Sequence, residues 1–150
     1  MTSTADVVVI GGGVMGASIL FHLAARGAGK PVLLERSTLG AGSTGRSSGI
    51  IRMHYSTEVN TRLAWESLPV WQNWPDSIGA GEAGWVRTGF MTISDQAYRP
   101  ELEANVAMQK RCGVTTSVVT NDEAREIAPM FVITDADAVA YEPDSGYGDP

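Results

Sequence analysis

The stretch that decides the fold is DVVVIGGGVMG, Asp6 to Gly16. Four consecutive β-branched residues, Val7, Val8, Val9 and Ile10, carry no polar alternation. They predict a buried parallel strand. Three glycines end it, and Val14 to Arg26 follows with helical spacing. Gly16, Leu20, Leu23, Ala24 and Gly27 recur at intervals of three and four, which predicts one helix face. Gly27 and Gly29 terminate that helix. Val32 to Leu34 is a second apolar strand, closed by Glu35 and Arg36. A strand, a helix and a strand within about 30 residues make a βαβ unit with a right-handed crossover.

Within this unit Gly11-Gly12-Gly13-Val14-Met15-Gly16 is a G-x-G-x-x-G run, and each of its outer glycines has a physical task. Gly11 permits the tight turn out of the strand. Gly13 lets a pyrophosphate approach the backbone, where a β-carbon would collide. Gly16 lets the helix pack closely on the sheet. The phosphates would meet free N–H groups and the positive end of the helix dipole in the turn that holds Val14 and Met15. Glu35 lies 19 residues beyond Gly16, at the end of the second strand. A carboxylate there accepts hydrogen bonds from both hydroxyls of an adenosine ribose and repels a 2′-phosphate, so NADP is disfavoured.

Composition narrows the remaining classes. Hydrophobic residues make up 43% and charged residues 19%, as in ordinary globular proteins. The formal net charge is −6, and residues 1–75 carry +2 against −8 for residues 76–150. The first half therefore suits an anionic ligand better, and no basic stripe exists to neutralise nucleic-acid phosphates. Val7 to Ala25 lacks Asp, Glu, Lys and Arg, but its four glycines argue against a membrane span. The single cysteine, Cys112, excludes a disulfide within the chain and suits a reducing compartment, with the cytoplasm expected. Zinc-site spacings are absent.

Downstream, residues 37–49 are a loop of Ser, Thr and Gly. The segment Gly40 to Arg52, GAGSTGRSSGIIR, offers many backbone N–H groups, hydroxyls and a guanidinium. It suits a second approach to pyrophosphate and flavin. Thr57 to Trp74 has helical spacing, with Leu63, Ser67, Val70 and Trp74 along one side, and Pro69 should kink or divide it. Val86 to Ser94 is a strand interrupted by Gly89, and Glu101 to Arg111 a helix. Thr120 to Glu123 fits a capping box opening a short helix that stops by Pro129. Ala138 to Tyr141 is a short strand before a turn.

The runs DVVVIGGGVMGASILFHLAARG and VLLERSTLGAGSTGRSSGIIRMHYS resemble the D-amino-acid-oxidase-like superfamily of FAD enzymes. Within it the likeness is to the sarcosine oxidases, above all the β subunit of the heterotetrameric kind. RTGFMTIS, TNDEAREIAPMF and AYEPDSGYGDP match that family in the same order, so the resemblance covers essentially the whole chain. It implies an α/β, glutathione-reductase-like Rossmann FAD-binding fold, incomplete here, with the start of an antiparallel substrate domain. Residues 1–80 would form the N-terminal part of the FAD-binding domain. Residues 84–142 would start the substrate domain, and residues 143–150 return toward the FAD domain.

The implied reaction is oxidation of a C–N bond in an amino acid or N-methylated amine, with hydride passing to FAD. The resemblance also assigns residues. Gly11, Gly13 and Gly16 match the pyrophosphate-binding glycines, and Glu35 matches the ribose-binding acid. Arg36, Ser43 and Thr44 match positions lining the adenosine and pyrophosphate. Arg46, Ser47 and Ser48 fall where the chain passes the flavin, and Arg52 matches an arginine that holds the substrate carboxylate. Some relatives attach flavin through a histidine near the start of the loop. None lies between Gly40 and Met53, and His54 is not expected to serve. Two other readings stay open on the residues alone: an NAD-dependent dehydrogenase, and a non-catalytic nucleotide-binding module. The chain alone is expected not to turn over an amine, and the rest of the pocket would come from a C-terminal half or a partner subunit.

Overall fold

A computed structural model describes residues 4–148. The elements run in chain order as β1 (Val7–Ile10), α1 (Val14–Ala25), β2 (Pro31–Leu34), β3 (Ile50–Ile51), α2 (Glu58–Gln72), α3 (Trp74–Ile78), β4 (Val86–Arg87), β5 (Phe90–Asp95), α4 (Arg99–Arg111), β6 (Ser117–Val119), α5 (Asn121–Ile127), β7 (Asp137–Glu142) and β8 (Gly146–Tyr147). They group into two compact units that divide after Ser48.

The first unit is the expected βαβ. β1 and β2 pair in parallel from Val7 opposite Pro31 to Ile10 opposite Leu34. The chain leaves α1 through Gly27 at φ 67° and Gly29 at φ 71°. β1 differs from expectation in its burial. Val9 is buried, whereas Val8 is 50% and Ile10 85% exposed, and Leu34 on β2 is 54% exposed. Neighbouring residues of a strand point to opposite faces. A two-stranded sheet therefore leaves one apolar face uncovered, as well as its outer edges.

The second unit is antiparallel. β7 is the central strand of the order β5-β7-β6, and both of its faces are covered. Ala138 and Ala140 pack with Leu102 and Val106 of α4. Val139, on the other face, packs with Ala124 of α5 and Ile133. Small residues on β7 let α4 come close to the strand. The predicted capping box opens α5: Glu123 N–H donates to Thr120 Oγ1 at 3.2 Å, and Thr120 N–H to Glu123 Oε2 at 2.7 Å.

A second small sheet, β3-β8-β4, uses strands of two residues that period alone does not reveal. Its central Gly146 is sterically required, because a β-carbon there would lie 2.1 Å from the Val86 carbonyl oxygen.

The predicted helix over 57–74 is realised as α2 and α3, and the side of α2 that holds Leu63 and Ser67 is not the one it buries. Its inward residues are Thr61, Ala64, Trp65 and Leu68, while Leu63 is 61% exposed and Ser67 also faces out. Leu68 packs with Met53, Cys112 and Val114, and that cluster rotates the helix away from the expected stripe. Pro69 does not divide the helix where it stands, since α2 runs on to Gln72. Pro69 has no N–H to give the carbonyl four residues before it, and the division follows four residues after it. The break comes at Asn73, whose backbone N–H and side-chain amide both donate to the Pro69 carbonyl, at 3.0 and 3.2 Å. Among the described residues no helix is long and apolar enough to cross a membrane.

Candidate functional site

In the first unit the turn between β1 and α1 is built from its glycines. Gly11 adopts φ +104°, a region an L-residue occupies only under strain. A β-carbon on Gly16 would lie 1.9 Å from the Gly11 carbonyl oxygen, so the first turn of α1 sits directly on the turn that precedes it. The close packing expected of Gly16 is thus chiefly against the turn, with Val9 of the sheet at 3.6 Å. Gly13 has ordinary extended φ and ψ. A β-carbon there would stand 3.0 Å from Thr44 Oγ1.

Two residues from elsewhere complete this turn. Glu35, just past β2, accepts the Gly12 N–H on Oε2 at 2.7 Å and the Ser37 N–H on Oε1 at 2.9 Å. These bonds, the Gly12 bond foremost, hold its carboxyl below the ordinary value of 4.5. Thr44 Oγ1 accepts the Val14 N–H at 3.0 Å. The first intrahelical bond of α1 is Ala17 N–H to Gly13 C=O, so Met15 and Gly16 N–H have no intrahelical acceptor. Val14 and Met15 are 51% and 72% exposed, which leaves this helix end open.

The loop residues follow. Ser43 precedes a 3-10 turn, Thr44–Arg46, and Ser47 closes it through its N–H to the Thr44 carbonyl. Arg36, Ser43, Arg46, Ser47 and Ser48 are exposed. Of the residues expected at a dinucleotide site, the structure brings Glu35 and Thr44 onto the glycine turn. It adds Gly12, whose N–H is held by Glu35 and whose β-carbon would lie 2.6 Å from Leu39 Cδ2. The unbroken triplet of glycines was the available signal for that middle residue.

These features fit an adenine dinucleotide. The turn tolerates no side chain at Gly16, two amides at a helix N-terminus lack intrahelical acceptors, and a carboxylate stands at the end of the second strand.

The second unit holds Arg52, directly after β3. Its guanidinium lies over the Tyr55 ring at 4.7 Å and the Phe90 ring at 5.2 Å, and Nη1 donates to the His54 carbonyl. A planar cation bounded by aromatic faces keeps its in-plane N–H donors available to an acceptor such as a carboxylate.

Behind it lies a buried polar cluster that sequence reasoning missed. Glu142 is 1% exposed, and its Oε2 accepts from Met53 N–H at 3.0 Å and Ser145 Oγ at 2.8 Å. Its Oε1 is 3.9 Å from His54 Nδ1. Gln109 Nε2 lies 3.2 Å from that nitrogen and 3.4 Å from the Tyr55 carbonyl. The amide thus donates to the Tyr55 carbonyl and meets the imidazole at Nδ1. Burial, followed by the charge of Arg52, holds His54 below its ordinary 6.5. Burial also raises Glu142 above 4.5, against hydrogen bonds and the Arg52 charge. Strand alternation was the missed signal, since Glu142 shares the face of Ala138 and Ala140. Likewise Gln109 continues the Leu102–Val106 face of α4.

Comparison with known proteins follows the same lines. The family model described as FAD dependent oxidoreductase (DAO) matches residues 6–150. Mitochondrial sarcosine dehydrogenase of Mus musculus is 31% identical, over 100% of this chain and 16% of its own length. The formaldehyde-forming 4-methylaminobutanoate oxidase of Paenarthrobacter nicotinovorans is 30% identical, over 95% of this chain and 17% of its own. Among solved structures, L-proline dehydrogenase from P. horikoshii superposes with a TM-score of 0.88 at 30% identity, covering 100% of this chain and 39% of that one. The chain thus spans about one-sixth of the length of these two curated relatives. The resemblance read from the sequence is borne out at the level of the family.

Proposed function

Because the chain belongs to the DAO family of FAD-dependent oxidoreductases, we propose that it supplies the N-terminal part of an enzyme oxidising the C–N bond of an amino acid or N-methylated amine. The carrying observation is the glycine turn with Glu35 and Thr44 hydrogen-bonded onto it. FAD, when bound, takes up the hydride removed from the carbon next to nitrogen.

Gly11, Gly13, Val14, Met15 and Gly16 would hold the pyrophosphate on backbone N–H groups. Glu35 would hold the adenosine ribose, with Arg36, Ser43 and Thr44 beside it. Arg46, Ser47 and Ser48 would line the flavin. Arg52 would grip a substrate carboxylate through two parallel hydrogen bonds. Residues 1–80 would belong to the FAD-binding domain, 84–142 to the substrate domain and 143–150 to the return; of these, 1–3, 149 and 150 lie outside the described residues. The relatives' names, a sarcosine dehydrogenase and a methylamino-acid oxidase, support a substrate that joins an amine to a carboxylate. Residues outside 1–150 or a partner subunit would complete the pocket, so the chain alone would not turn over an amine. The single cysteine supports a reducing compartment such as the cytoplasm.

The test is made in the complete flavoprotein. Gly13→Val should nearly abolish flavin retention, and normal retention would remove the dinucleotide assignment. Arg52→Lys should leave flavin content near normal and weaken amino-acid binding by about 1.5–3 kcal/mol, the worth of a bidentate charged contact. Unchanged amino-acid affinity would remove Arg52 from the substrate site.

A further inference from the structure

Glu142 is a carboxyl group at a position where the strand otherwise carries small apolar residues. Ala138 and Ala140 share its face of β7 and are 0% and 1% exposed. A hydrophobic residue of similar volume would usually cost less there than a buried acid. The acid must therefore be explained by what it holds.

Its Oε2 holds the Met53 N–H, a residue 89 positions earlier in the chain. Met53 follows Arg52 directly, and its own side chain is fully buried. Residues 52–55 belong to no helix or strand, so no backbone ladder fixes them. Three side-chain anchors replace that ladder. Met53 is tied by its N–H to Glu142, His54 by its ring to Gln109, and Tyr55 by its carbonyl to the same amide. Ser145 donates to the same Oε2 and fixes the carboxyl's rotation. The turn carrying Ser145 leads into β8, which pairs Gly146 with Ile51 of β3, one residue before Arg52. Arg52 is thus bracketed on both sides by the segment from Glu142 to Gly146. Its guanidinium in turn donates to the His54 carbonyl and lies over the Tyr55 ring, so its orientation depends on where residues 53–55 are held.

We infer that Glu142 is a positioning residue for Arg52: by clamping the Met53 peptide it sets the segment on which the guanidinium rests, and through it the affinity for a substrate carboxylate. The inference rests on the reading of Arg52 as the carboxylate-binding group. Glu142 itself touches no substrate.

The experiment measures acetate binding to the complete flavoprotein by perturbation of the flavin absorbance. It compares the unaltered protein with Glu142→Ala, Glu142→Gln and Arg52→Ala, with flavin content recorded for each. Glu142→Ala should retain flavin and bind acetate on the order of tenfold more weakly, the loss expected when a buried donor is left unpaired. Glu142→Gln keeps an acceptor for Met53 and Ser145 and should bind within roughly threefold of the unaltered protein. A merely structural role would lower flavin content and folded yield without this contrast. If Arg52→Ala binds acetate normally, the reading of Arg52 fails. If Arg52→Ala abolishes binding and Glu142→Ala does not weaken it, the positioning role fails while that reading stands. Should Glu142→Ala not fold, Glu142→Leu keeps the buried volume and takes its place. Loss of folding in both would overturn a local positioning role.

Discussion

The Glu35 carboxylate reaches back across 23 residues to accept the Gly12 N–H at 2.7 Å, and its other oxygen accepts from Ser37. One side chain thereby joins the end of β2 to the middle of the glycine turn. Each carboxylate oxygen retains acceptor capacity beyond these bonds, which a ribose hydroxyl can use.

Glu35→Ala removes both backbone partners and the proposed ribose contact. The expected outcome is faster loss of flavin from the complete enzyme in dialysis, with Glu35→Gln intermediate, since an amide offers one acceptor in place of two. Glu35 has its folded value held below 4.5. Its stabilising contribution is therefore present above 4.5 and is lost as pH falls through the lowered value. Equal flavin retention in all three proteins would remove Glu35 from the site.

The two outer glycines of the helix entry differ in a measurable way. At Gly16 an added methyl meets a backbone oxygen at 1.9 Å, which cannot move without opening the turn; at Gly13 it meets a threonine hydroxyl at 3.0 Å, which can rotate. Gly16→Ala should destabilise by about 1–3 kcal/mol or more, as overpacking does. Gly13→Ala should cost less in thermal stability and act mainly on flavin binding. Thermal unfolding of the two variants with flavin removed checks this, and a milder effect at Gly16 contradicts the geometry.

Thr44→Val keeps the side-chain shape and removes the acceptor of the Val14 N–H. The expected loss is about 0.5–1.5 kcal/mol, together with weaker flavin retention, because the helix entry is held by one bond fewer. Thr44→Ser should restore both. Retention unaltered in Thr44→Val indicates that water replaces the hydroxyl without consequence.

His54 and Glu142 give opposite pH slopes. His54 is held below its ordinary 6.5, so the unfolded chain takes up a proton before the folded one does. Stability therefore falls as pH drops from 6.5 toward the lowered value. Glu142 is raised above 4.5, so its contribution is lost as pH rises from 4.5 through the raised value. In urea unfolding of the complete enzyme at several pH values, His54→Asn should lose the acid-side decline. A decline of the same slope in that variant means that other groups cause it.

What was legible in the sequence was local. β1, α1 and β2 follow from a β-branched run, a helical repeat and glycines placed where the backbone must turn or approach closely. The Thr120 capping box likewise joins residues only three apart. Glu35 and Thr44 were marked by motif and resemblance, yet the bonds they make to Gly12 and Val14 cross 23 and 30 residues.

The tertiary structure alone decided the rest, because those features depend on which distant surfaces meet. The inward face of α2 is set by the cluster of Met53, Leu68, Cys112 and Val114, so that Leu63 faces out despite its apolar spacing. β3, β4 and β8 have two residues each, too few for any period, and exist through pairing with one another. Glu142 looks like an ordinary strand-end acid until β7 is buried on both faces and Met53, 89 residues away, brings it an N–H. A local window records the period of a chain and the freedom of its backbone. It does not record the partner that a buried carboxyl finds across the fold.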